Sequence, residues 1–90
     1  MIKTNIKVID KLGLHLRPAS KLISITNNYK SEIFIQKADQ VRQTNSVLSI
    51  LNLEIKVDDT ITIIVDGSDE ATALPAILQL LKKENFCIIV

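Results

Sequence analysis

TITIIVDGSDEATA, residues 60–73, changes its period halfway along. From Thr60 to Val65 every residue is β-branched, which favours a strand with Ile61, Ile63 and Val65 on one face. Gly67 ends that run. Ser68 is a good helix cap, and Asp69 and Glu70 then complement the positive end of the helix dipole. Ala71, Leu74, Ile77, Leu78 and Leu81 predict the buried stripe of that helix. Pro75 fits it badly, because an interior proline removes a backbone donor at a cost of about 3 kcal/mol if nothing compensates, so a kink or a delayed helix start is expected.

Working back toward the N-terminus, Ile2, Ile6, Val8 and Ile9 among polar neighbours predict a half-buried strand over residues 2–9. Gly13 closes a short loop. Leu16, Ala19, Leu22, Ile23 and Thr26 then recur at helical spacing until Asn27-Asn28 stops them. Ile33 to Ile35 suggest a second strand and Val41 a short third one, joined by a turn at Ala38-Asp39. Ser46 caps a short helix bearing Val47, Leu48, Ile50, Leu51 and Leu53. The order strand, helix, strand, strand, helix, strand, helix reads as one α+β domain over residues 1–90, with a mostly antiparallel four-stranded sheet and three helices on one face.

Composition narrows the function classes. The 90 residues are 47% apolar and 23% charged, an ordinary globular mix. Eleven basic and ten acidic residues, one tyrosine and no tryptophan supply neither the basic footprint nor the stacking platforms of a nucleic-acid binder. Cys87 is the only cysteine, so no internal disulfide or cysteine-rich metal site is possible; it reads as a semi-buried thiol near an apolar C-terminus. No stretch approaches the roughly 20 apolar residues of a membrane span, and the first ten residues lack a signal-peptide core, so no membrane insertion and a cytoplasmic location are expected.

The remaining special residues gather in GLHLRPAS, Gly13–Ser20, which holds the only histidine. A turn precedes His15 and a helix follows it, so His15 lies at or next to the N-cap, where unpaired backbone N–H groups favour an anion. Arg17 adds a fixed cation suited to phosphate, and Pro18 is tolerated in a first helical turn. A neutral histidine here can attack through one ring nitrogen while the other is protonated. The plainer account of the same spacing is a capping His15 and a solvated Arg17.

GLHLRPAS resembles the phosphorylation-site signature of HPr, the histidine-containing phosphocarrier of the bacterial sugar phosphotransferase system. The similarity continues through Ser46 with its apolar followers at 47, 48, 50, 51 and 53, and through GSDEATA at residues 67–73. It implies an open-faced β-sandwich and a protein that is not an enzyme. Enzyme I, charged from phosphoenolpyruvate, would phosphorylate His15 at Nδ1, and the phosphohistidine would pass the group to the A components of enzyme II complexes. Arg17 would neutralise the phosphoryl group, with Leu16 and Pro18 helping to place it. Leu16, Arg17, Ser20, Val47, Leu48 and Leu51 would dock partners, and Ser46 would be the regulatory serine of HPr kinase/phosphorylase. No metal or cofactor is implied, and a monomer is expected.

Family members commonly have alanine at Leu16 and glycine at Ser49 and Glu54, and often a basic residue at Asn45. Glutamate in a positive-φ exit from the short helix would cost roughly 1 kcal/mol or redirect the chain. Two rivals to the carrier are an HPr-like signalling protein with little or no role in sugar transport, and a small hydrolase using His15 and Arg17. The hydrolase lacks a second histidine or an evident general base.

Overall fold

The computed structural model describes all 90 residues, in the order β1 (Ile2–Val8), α1 (Leu16–Thr26), β2 (Glu32–Lys37), β3 (Gln40–Gln43), α2 (Val47–Leu51), β4 (Thr60–Asp66), α3 (Glu70–Lys83) and β5 (Cys87–Ile89). The strands form one antiparallel sheet in the order β3-β2-β4-β1-β5. The β-branched run of β4 thus lies at the centre, paired with β1 through Ile6↔Ile61 and Ile2↔Val65 and with β2 through Ile35↔Ile63. Its inward residues Ile61, Ile63 and Val65 join Ile6, Val8, Ile33 and Ile35 beneath Leu22, Ile50, Ile77 and Leu81 of the helices. Fully burying each such side chain contributes roughly 1.5–3 kcal/mol, which fixes the helices on this one face.

The expected four-stranded sheet has a fifth strand. After α3, Asn85 takes a left-handed φ of 54°, its N–H donates to the Lys82 carbonyl (2.9 Å) and the Phe86 N–H to the Leu81 carbonyl (3.0 Å). This paired bonding satisfies the last carbonyls of the helix and turns the chain back. Phe86 enters the core and Cys87–Ile89 pairs with β1. Cys87 is buried rather than half-buried, and burial pushes its thiol up to about 11.

Other expectations shift locally. Ile9 lies beyond β1 and is exposed. The stripe of α3 centres on Ala73, Ile77 and Leu81, with Leu74 and Leu78 packed at its margin; Ala71 is exposed. Its cap position is Asp69, one residue beyond Ser68, and the Asp69 carboxylate accepts from the backbone of Lys30 (2.7 Å) and Ser31 (2.9 Å) and from the Ser31 hydroxyl. Gly67 allows that approach, since a Cβ there would lie 2.6 Å from the Ser31 Cα. Pro75 neither delays the helix nor enters the core. It sits exposed in the second turn of a helix that runs on past it, where it supplies no N–H to the Ala71 carbonyl.

Candidate functional site

The loop between β1 and α1 is built on Asp10. Its Oδ1 accepts from the Leu12 N–H (2.9 Å) and its carbonyl from the Gly13 N–H (2.9 Å), while the N–H groups of Ile9 and Asp10 both donate to the Phe86 carbonyl (2.8 and 3.2 Å). Gly13 has φ 65°, and a Cβ on it would lie 2.2 Å from the Ile55 carbonyl oxygen. Only glycine lets the loop pass so close, and the Leu14 N–H then donates to that same oxygen (3.0 Å).

His15 follows as the N-cap of α1 in extended conformation, as the sequence indicates. Its side chain makes no capping bond, so the first-turn N–H groups of Leu16 and Arg17 keep no intrahelical partner. Pro18 has no N–H to leave unpaired and is buried, anchoring the turn beside Ala19. The imidazole is one-third exposed, with Nε2 3.2 Å from Asp10 Oδ2 and Nδ1 free of any partner in the chain. Asp10 is the residue that sequence reasoning missed, and it places a carboxylate at His15 where none was expected. Its carboxyl lies below the usual range, held there first by the Leu12 amide and then by His15.

His15 and Arg17 line one concave surface with Asp10, Leu12, Pro18, Lys83, Glu84 and Asn85. Arg17 is mostly exposed, and its Nε donates to Glu84 Oε1 (3.1 Å); Lys21 Nζ lies 3.7 Å from the other oxygen of Glu84. Glu84 thus tethers two cations of α1 at the rim of the site. Such an arrangement suits a dianion: two free amides at a helix start, worth about 0.3–1 kcal/mol when exposed, and a guanidinium nearby.

The expected docking residues divide. Leu16 (64% exposed), Leu48 (71%), Arg17 and Ser20 face solvent, whereas Val47 and Leu51 are half-buried against the core. Ile50 and Leu53 are fully inside. Ser46 caps α2 with its Oγ accepting from the Ser49 N–H (3.4 Å) and is itself exposed. Glu54 follows α2 with φ 52°, the left-handed exit expected there. No helix is long and apolar enough to cross a membrane.

The chain matches the family model for the PTS HPr component phosphorylation site over residues 2–83. It is 34% identical to the HPr-like protein Crh of Halalkalibacterium halodurans over 93% of this chain and 100% of that one. It is 33% identical to phosphocarrier protein HPr of Neisseria meningitidis over 90% of this chain and 91% of the relative. The histidine-containing phosphocarrier protein of a Mycoplasma superposes with TM-score 0.90 at 32% identity, covering 93% and 96% of the two chains. Crh of Bacillus subtilis, crystallised as a domain-swapped dimer, superposes with TM-score 0.73 at 26% identity, covering 93% and 97%. The lone histidine at the start of α1, the open-faced fold that presents it and a family match over nearly the whole length converge: the chain belongs to the HPr family of phosphocarrier proteins.

Proposed function

We propose that this HPr-family chain relays phosphoryl groups through Nδ1 of His15, receiving them from phosphoenolpyruvate-charged enzyme I and passing them to enzyme II A components. One observation carries the reading: the histidine stands at the N-terminus of α1, partly exposed, with Nδ1 free and two unpaired amides beside it. In the transfer, a P–N bond forms at Nδ1 as the donor's bond to phosphorus breaks, and the donor keeps that electron pair. The incoming charge meets the Leu16 and Arg17 amides and the Arg17 guanidinium. The labile P–N bond keeps the relay reversible, so the protein cycles through phosphohistidine without turnover of its own and without a cofactor.

Leu16 and Leu48 are the exposed apolar anchors for docking, framed by Arg17 and Ser20, with Val47 and Leu51 half-buried against the core on the same short helix as Leu48. The chain acts in the cytoplasm as a monomer. Ser46 is the regulatory site of HPr kinase/phosphorylase: phosphate there adds about −1.5 to −2 charge at the edge of the Leu48 patch and repels acidic partner surfaces. The similarity to Crh favours a second reading, in which contacts through Ser46 and α2 signal and sugar transport is minor.

Incubation with enzyme I and phosphoenolpyruvate should yield an acid-labile, alkali-stable phosphate that His15→Ala abolishes. Discharge by an enzyme II A component distinguishes a relay from a signal. Labelling that survives His15→Ala refutes the carrier. Incubation with ATP and HPr kinase, with Ser46→Ala as comparison, tests the serine in the same way.

A further inference from the structure

We infer that Asp10 is a positioning residue for phosphoryl transfer: its carboxylate holds the His15 ring with the proton on Nε2 and the lone pair on Nδ1, and balances the positive charge the ring acquires when Nδ1 bonds to phosphorus. The second half rests on the carrier reading; the first stands on geometry alone.

An ionised carboxylate only accepts hydrogen bonds, so a ring nitrogen 3.2 Å from Asp10 Oδ2 must bear the hydrogen. That nitrogen is Nε2, and in the neutral ring the lone pair is then left on Nδ1, the atom with no partner in the chain. When Nδ1 attacks, the Nε2 proton stays where it is and the ring becomes a cation. No proton has to leave or arrive for the step to balance. The anion that offsets this cation is already in place, and reverse transfer releases the same charge.

Asp10 is held from several directions before any ligand binds. Its second oxygen takes the Leu12 amide, its carbonyl takes the Gly13 amide, and its own amide donates to the Phe86 carbonyl. Both oxygens are therefore assigned, one to the turn and one to the ring. The other charged groups of the concave surface, Arg17, Lys83 and Glu84, lie toward α3, and Arg17 is paired with Glu84. Asp10 is the one acid that touches the imidazole. A side chain fixed in this way aligns its neighbour with little reorganisation when charge develops.

Asp10→Asn separates the ring's partner from the turn. Asparagine keeps an oxygen for the Leu12 amide but offers Nε2 an N–H donor, which the ring can accept only by moving its own proton to Nδ1. The readout is the ring-nitrogen chemical shifts of the ¹⁵N-labelled protein alone, at a pH where the imidazole is neutral. The Nε2–H form should dominate in the wild type and give way toward Nδ1–H in Asp10→Asn. Phosphorylation by enzyme I and phosphoenolpyruvate should slow about tenfold, the lower end of the loss seen when the carboxylate that orients a metal-bound histidine is removed. Asp10→Ser, which can still accept from the Leu12 amide but brings no charge to the ring, should give a mixture of tautomers and a smaller slowing. It also serves as the test if the asparagine variant fails to fold. Ring-nitrogen shifts unchanged from wild type in both variants overturn the inference, as does slowed transfer with an unmoved tautomer. If the wild type takes no phosphate at all, the carrier reading falls, and the ring-nitrogen shifts still decide whether Asp10 sets the tautomer.

Discussion

Glu54→Gly should stabilise the protein. Glu54 has φ 52°, and its amide donates to the Leu51 carbonyl (3.1 Å) in the turn that leaves α2. A side chain in that left-handed region costs roughly 1–2 kcal/mol through the clash of Cβ with the following carbonyl. Glycine removes the clash but loses about 0.4–1 kcal/mol to the greater freedom of its unfolded chain. The difference of the two ranges is about 0–1.6 kcal/mol, a gain of about 0.8 kcal/mol at their midpoints. The one hydrogen bond Glu54 makes with a distant element is Lys37 Nζ donating to its carbonyl (2.7 Å), a backbone bond that the substitution keeps. For a domain of this size that midpoint gain corresponds to a rise of roughly 3–6 °C in melting temperature. Urea unfolding followed by circular dichroism gives the same quantity as an increased midpoint at unchanged slope. Glu54→Ala is the control, because alanine keeps the Cβ and the strain and should stay within about 0.5 kcal/mol of wild type. Equal stabilisation by alanine and glycine would place the effect in the lost carboxylate and refute the backbone argument.

Gly13→Ala should destabilise by about 2–5 kcal/mol, summing left-handed strain and the overlap with the Ile55 carbonyl 2.2 Å from the new Cβ. Because Leu14 shares that carbonyl, phosphorylation of His15 should fall as well; a variant that melts and phosphorylates normally contradicts the close packing. Acid should weaken the latch at the start of α3. The Ser31 hydroxyl, followed by the Lys30 and Ser31 amides, holds the Asp69 carboxyl below its usual range. A depressed folded-state value contributes stability above the ordinary carboxylate pKa of about 3.9, and that stability is lost as pH falls through the folded value. Chemical unfolding between pH 7 and pH 2 should therefore show a shallower acid limb for Asp69→Asn than for wild type, and parallel limbs would exclude the latch as its source.

Much of the fold was legible in local patterns. The β-branched run of β4, the Ala38-Asp39 turn and the Ser46 cap all declare themselves within a few residues, and each is found where the pattern places it. His15 as a helix start is equally local, since the loop glycine, Pro18 and the apolar spacing of α1 fall within one turn of it. What escaped depends on distant partners. β5 is three residues long and becomes a strand only because Asn85 and Phe86 reverse the chain against β1. Arg17 meets Glu84 across 67 positions, and Asp69 meets Ser31 across 38. Asp10 is close in sequence to His15, yet only the turn closed by Gly13 brings the two together. The α3 stripe was misplaced at its first turn, where Ala71 and Ala73 offer equal hydrophobicity and the fold turns only the latter into the core.

The Phe86 carbonyl, which receives two amides from Ile9 and Asp10, fastens the tail of the chain to the segment that bears the histidine. A protease nick, a bulky fusion after Val90 or any partner that peels off the last strand would slacken that segment while the central strands stayed intact. On the proposed carrier role, loss of phosphate acceptance would then precede loss of the folded signal, so a truncated preparation with an unremarkable melting curve would still be a poor acceptor.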